Sequence, residues 1–127
     1  MSVKFYKCDT CGNIIVKILD GGTIPVCCGH PMRLLYPADT DGAYEKHVPD
    51  LVMNGRYACI TIGSVEHPMT PEHYIQFIFV KTNFSYRWFM LNPGDAPEAC
   101  FPLDEGEEIE EMYEFCNIHG LWVKEKK

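Results

Sequence analysis

Tyr74-Ile75-Gln76-Phe77-Ile78-Phe79-Val80 is the longest charge-free apolar stretch of the chain. It is short, crowded with aromatic and β-branched side chains and preceded by a proline-containing loop, which is the composition of a strand. On its N-terminal side, Arg56-Tyr57-Ala58-Cys59-Ile60-Thr61-Ile62 repeats the pattern. On its C-terminal side, Ser85-Tyr86-Arg87-Trp88-Phe89-Met90 predicts a third strand that ends at the turn Asn92-Pro93-Gly94-Asp95. Residues 108–115 fit a helical stripe through Ile109, Met112 and Phe115 and also a strand alternation through Ile109, Glu111, Tyr113 and Phe115. The strand is the reading adopted. Several short strands at this spacing predict an all-β sandwich or barrel.

Further toward the N-terminus, Tyr36-Pro37-Ala38-Asp39-Thr40-Asp41-Gly42-Ala43 interrupts the pattern with small, polar, Pro and Gly residues, dividing the chain into residues 1–37 and 38–127. A segment under about 40 residues buries too little apolar surface to fold alone, so the first part needs a metal, a disulfide or a partner chain. Hydrophobic residues make up 46% of the 127, which argues against disorder, and a net charge of -7 argues against a nucleic-acid binder that works by bulk charge. No apolar run approaches the roughly 18 to 20 residues of a membrane span. Lys4 and Lys7 interrupt the start of the chain before a signal-peptide core develops, so the expected compartment is the cytoplasm. In that reducing setting seven cysteines point to metal ligation or catalysis before disulfides. Cys59 and Cys100 are read as small packed hydrophobes, His30 as a surface residue, and Trp88 and Trp122 as core or site-shielding residues.

Two constellations carry chemistry. Cys8-x-x-Cys11, a gap of fifteen residues, then Cys27-Cys28, is close to zinc-ribbon spacing except that the second pair is adjacent. Gly12 and Gly29 follow the pairs where tight turns need a permissive residue. Adjacent cysteines tend to point apart and must be bent back, which predicts a distorted tetrahedron. Four thiolates alone do not choose between zinc and iron. The second constellation is His47 in Glu45-Lys46-His47-Val48-Pro49, His67 and His73 in a proline-stiffened loop before a strand, and Cys116 with His119 three residues apart. Most of these segments lie at expected loop or strand ends, where a rigid sandwich positions ligands. Five ligands exceed a closed tetrahedral zinc site, and imidazoles with one thiolate suit iron with one open octahedral position.

Glu45-Lys46-His47-Val48-Pro49, Glu66-His67-Pro68-Met69 through His73-Tyr74-Ile75, Asn92-Pro93-Gly94-Asp95 with Pro97-Glu98-Ala99, and Cys116-Asn117-Ile118-His119-Gly120-Leu121-Trp122 resemble the superoxide reductases. With Cys8, Cys11, Cys27 and Cys28 in front, nearly the whole chain resembles the two-iron form, the desulfoferrodoxins. The resemblance implies a small rubredoxin- or desulforedoxin-like iron module followed by an immunoglobulin-like β-sandwich, and a homodimer. It implies two irons per chain, one on the four cysteines and one with His47, His67, His73 and His119 in its equatorial plane and Cys116 on its axis. It further implies one-electron reduction of superoxide to hydrogen peroxide, with re-reduction by an external donor such as rubredoxin. Lys46 would steer superoxide and order a proton-delivering water, and Glu45 would occupy the sixth position once the iron is ferric.

Overall fold

The protein is described by a computed structural model over residues 2–38, 47–63 and 67–125. The chain divides into two compact units, Met1–Tyr36 and Pro37–Lys127. Among the described residues every named element is a strand.

The first unit contains β1 (Phe5–Lys7), β2 (Ile14–Val16), β3 (Val26–Cys27), β4 (His30–Pro31) and β5 (Arg33–Leu34). β1 is the middle strand of a sheet ordered β2-β1-β5, and β3 pairs with β4 as a hairpin. Its buried apolar residues are few: Tyr6, Cys8 and Met32 cluster with Leu34 and Cys27 against them, and Val3, Phe5 and Leu35 are buried besides. So little burial does not hold a unit of this size without a further tie. His30 is exposed on β4.

The second unit contains β6 (Pro49–Asn54), β7 (Tyr57–Ile62), β8 (Ile75–Thr82), β9 (Tyr86–Met90), β10 (Glu98–Pro102), β11 (Ile109–Cys116) and β12 (Gly120–Glu125). They form two sheets, β10-β7-β6 and β12-β11-β8-β9. All their pairings are antiparallel. Ala58, Ile60 and Ile62 of β7 and Ala99 and Phe101 of β10 meet Ile78 and Val80 of β8 and Met112 of β11 in the core between the sheets. Two antiparallel sheets packed over alternating inward residues make an immunoglobulin-like sandwich, here with the fourth strand, β9, added beside the third.

Residues 108–115 fall almost wholly within β11, so the strand reading holds, although the alternation that suggested it is absent. Seven of the strand's eight residues are buried. The packed-hydrophobe reading of Cys59 and Cys100 is corrected. With Ala58 and Ile60 facing the core, period two turns Cys59 outward, and Cys100 lies opposite it on β10. Cys100 is exposed, Cys59 is half-buried, and the two form a disulfide. Trp88 is likewise not a core residue: it lies on edge strand β9, stacked on Phe79 and 52% exposed.

Candidate metal centres

The first centre is built by two turns. Cys8 and Cys11 bracket a turn closed by Gly12 N–H donating to the Cys8 carbonyl at 2.8 Å, with Gly12 at φ 83°. Cys28 and Gly29 form the two-residue connection of the β3–β4 hairpin with φ of 52° and 75°. Two positive φ values mark the hairpin turn whose twist matches the flanking strands. For glycine this is free, but for Cys28 the left-handed region costs roughly 1–2 kcal/mol. That conformation is how an adjacent pair is bent back onto one centre.

Cys11 Sγ lies 3.6 Å from Cys27 Sγ, and Cys27 Sγ lies 3.9 Å from Cys28 Sγ. A tetrahedral ion with metal–sulfur bonds of about 2.3 Å has sulfur–sulfur edges of about 3.8 Å. All four sulfurs lie within 4.8 Å of one another, so the set fits a tetrahedral cation. Their acidities point the same way. The Cys11 N–H foremost holds the Cys8 thiol down to about 6, whereas hydrogen bonding with the Cys11 sulfur foremost pushes Cys28 up to about 12. Four neighbouring sulfurs do not all ionise until a cation offsets their repulsion.

The second centre gathers His47, His67, His73, Cys116 and His119, whose ligand atoms lie within 4.8 Å of one another. The four imidazoles form a closed circuit of steeply inclined rings. His47 meets His67 with centroids 4.4 Å apart, His67 meets His73 at 4.8 Å, His73 meets His119 at 4.9 Å, and His119 returns to His47 at 4.9 Å. His47 Nε2 and His119 Nδ1 are 2.9 Å apart. Adjacent nitrogens on an octahedral ion with bonds of about 2.1 Å would be about 3.0 Å apart, and opposite ones about 4.2 Å apart. The donor set therefore fits one ion with four nitrogens and a sulfur. His47, His67 and Cys116 are buried, His73 is half-buried and His119 is exposed, so the centre opens on the side of the last two rings.

Local folding aims each ligand. His47 stands two residues before the start of β6, whose neighbour β7 is held at that end by Gly63 N–H donating to the Val48 carbonyl. Thr70 and His73 exchange backbone hydrogen bonds across Pro71 and Glu72, a tight turn that presents His73. A register shift between Phe115 and Cys116 marks a bulge in the pairing of β11 with β8, the kind of irregularity that re-aims a side chain beside an active site. The Asn117 side chain then ties the Cys116–His119 turn to the His73 segment. Its Oδ1 accepts from Tyr74 N–H at 2.9 Å and its Nδ2 donates to the Glu72 carbonyl at 3.0 Å. Burial pushes the Cys116 thiol up, opposed by N–H groups of His119 and Ile118 that stabilise the thiolate.

A carboxylate behind the ligands escaped the sequence reading. Glu114 is fully buried and accepts from His47 Nδ1 at 2.8 Å. His67 Nδ1 donates to the Pro68 carbonyl at 2.6 Å. Each bond fixes a tautomer with the proton on Nδ1, so that Nε2 is the nitrogen able to ligate a metal, as carboxylate or carbonyl partners of metal-bound histidines do. Burial raises the Glu114 carboxyl well above its ordinary range. The Trp122 ring stacks on His47 with centroids 4.6 Å apart and planes inclined by 6°, so this tryptophan both fills the core and backs the site. Glu45 and Lys46, the other expected site residues, lie outside the described residues.

Residues 39–125 match the family model described as Desulfoferrodoxin, and residues 2–35 the one described as Desulfoferrodoxin, N-terminal domain. A desulfoferrodoxin of Syntrophotalea carbinolica is 44% identical over 123 residues, covering 97% of this chain and 96% of that relative. Among solved structures, the superoxide reductase from Treponema pallidum is similar over 97% of both chains, with a TM-score of 0.81 and 32% identity. The superoxide reductase (1Fe-SOR) from Giardia intestinalis covers 65% of this chain and 98% of its own, with a TM-score of 0.55 and 31% identity.

Proposed function

The chain belongs to the desulfoferrodoxin family, and from that premise we propose that it is a superoxide reductase whose site is formed by His47, His67, His73, His119 and Cys116. The observation that carries the proposal is the closed circuit of four imidazoles with a buried thiolate as fifth donor, open to solvent on the side of His73 and His119.

Superoxide, one electron and two protons give hydrogen peroxide. Iron, when bound, supplies the electron and an open coordination position for a small anion. The chain does the rest. Glu114 and the Pro68 carbonyl hold the protons of His47 and His67 on Nδ1. Trp122 restrains the His47 ring from one face. The His119 N–H, 3.4 Å from Cys116 Sγ, disperses the thiolate charge. Lys46, adjacent to His47 in sequence, is assigned to steering superoxide and ordering a water that delivers a proton, and Glu45 to the sixth position of the oxidised resting site. These two roles rest on the resemblance of Glu45-Lys46-His47-Val48-Pro49 to the family.

The same reading assigns residues 1–37 to a four-cysteine iron domain with a mainly structural metal, and residues 38–127 to the catalytic domain. Electrons arrive from an external donor of the rubredoxin type, and the protein works as a cytoplasmic homodimer. Among the described residues no helix is long and apolar enough to cross a membrane.

Anaerobic purification of the intact chain with metal counting and an optical spectrum tests the proposal. Two irons per chain are expected, with a spectrum that Cys116→Ser alters while the fold persists. A colourless protein with stoichiometric zinc, or a spectrum indifferent to Cys116→Ser, contradicts it.

A further inference from the structure

The two metal groups account for Cys8, Cys11, Cys27, Cys28 and Cys116, leaving Cys59 and Cys100 with no part in either centre. These two are directly opposite one another in the β7–β10 ladder, with Cα atoms 4.1 Å apart. That is the close spacing of a non-hydrogen-bonded antiparallel pair, the position at which facing side chains approach most nearly. Backbone pairing on both sides holds them there: Ala99 is in register with Ile60 and Phe101 with Ala58. The ladder is independent of the sulfur bond, so two thiols at these positions would stay neighbours, and closing the bond needs no rearrangement of the chain.

The pair also lies where reagents reach it. It is on the outer face of the three-stranded sheet, with Cys100 exposed and Cys59 half-buried. Unlike the inter-sheet bridge of antibody domains, it lies within one sheet and outside the core. Disulfides that are exposed are the labile ones, open to exchange, and in reducing compartments such bonds are commonly transient and catalytic or redox-sensing.

We propose that Cys59 and Cys100 form a reversible two-electron thiol–disulfide couple, oxidised by hydrogen peroxide and reopened by a dithiol. In the oxidising direction one thiolate attacks a peroxide oxygen, the O–O bond breaks, and a sulfenic acid forms as hydroxide leaves and is protonated to water. The second thiol then displaces the sulfenic oxygen as a second water, forming the S–S bond. Two thiols and one peroxide thus give one disulfide and two waters. In the reducing direction an external dithiol attacks the bond through a mixed disulfide and departs as its own disulfide. Peroxide as the natural oxidant rests on the superoxide reductase reading, because the same molecule would release it at the iron centre.

The test uses the intact, iron-loaded protein. It is reduced with dithiothreitol, freed of reductant under anaerobic conditions, treated with a few equivalents of hydrogen peroxide, then alkylated without denaturation and peptide-mapped. The couple predicts alkylated Cys59 and Cys100 before peroxide, a linked Cys59–Cys100 peptide pair after it, and alkylation of both restored by fresh dithiothreitol. Retained alkylation after peroxide, or a link that dithiothreitol does not open in the folded protein, overturns the proposal. In Cys59→Ser the remaining Cys100 should stop at the sulfenic acid and be trapped by dimedone; no adduct there counts against the peroxide step. Peroxide is added directly, so the outcome does not depend on superoxide reduction. A link that fails to form overturns the couple and leaves the reductase reading standing, whereas a link formed in a protein that does not consume superoxide supports the couple and rejects that reading.

Discussion

Four neutral imidazoles and one thiolate leave a divalent ion with a single positive charge, but Glu114 stands one hydrogen bond behind His47 and, when ionised, neutralises the assembly. Its geometric role is separable from its charge. Glu114→Ala removes the acceptor that orients His47 and should weaken metal binding at this centre by about 10- to 100-fold. Glu114→Gln, whose amide oxygen accepts the same bond, should recover much of that loss. Competition against a chelator measures both, and unchanged affinity in the alanine variant would reject the orienting role. For Lys46, Lys46→Ala should slow the encounter with superoxide by about tenfold and weaken its dependence on salt while iron stays bound. An encounter rate that does not change would remove the steering role. The metal-ligating set His47, His67, His73, Cys116 and His119 was legible because most of its segments lie at loop or strand ends near Pro or Gly. Glu114 was not, because it lies among Glu108, Glu110 and Glu111, and acidic residues in such a run look alike until both faces of the strand are known to be buried.

Among the elements, the β8–β9 hairpin is anchored by Glu107, which accepts from the Asp104 N–H, the hydroxyls of Thr82 and Ser85, and the Arg87 guanidinium. These partners, the Asp104 N–H foremost, hold its carboxyl down to about 2 against an ordinary value of 4.5. A value lowered by folding contributes stability that is complete above the ordinary value and is lost as pH falls toward the folded one. The Glu107 contribution should therefore be intact at neutral pH and fade between about 4.5 and about 2. Glu107→Gln should cost about 1–3 kcal/mol at pH 7 and flatten that part of the acid-unfolding profile; an unaltered profile would contradict the assignment. The Cys59–Cys100 bond closes a loop with a sequence separation of 41, which in the chain-entropy account stabilises the oxidised form by up to about 4 kcal/mol. Denaturant unfolding of the oxidised and reduced protein measures it, and coincident curves would contradict that estimate. The strands themselves were legible from aromatic and β-branched runs. Which parity faced the core was harder to read. Tyr57, Cys59 and Thr61 are apolar or small enough to pass for inward residues, and only the burial of Ala58, Ile60 and Ile62 decides the matter.

Over the whole molecule, a net charge of -7 on a protein that takes up an anion requires attraction to be local, at the iron and, in the role proposed for it, at Lys46. The change of composition near Pro37 falls beside the boundary between the two compact units, Met1–Tyr36 and Pro37–Lys127, and each unit has its own means of holding together. The second unit has a sandwich core. The first has a core centred on Tyr6, Cys8 and Met32 and four converging sulfurs. Cys28→Ser should therefore release the metal and expose residues 2–36 to proteolysis while the sandwich stays protected. Protection of the first unit without its metal would contradict that account. The most direct test of superoxide reduction is product stoichiometry when superoxide is pulsed onto the ferrous protein under anaerobic conditions. The account predicts one hydrogen peroxide for each superoxide consumed, one electron drawn from the protein, and no dioxygen. Dioxygen released in equal amount with the peroxide would mean dismutation and would contradict it.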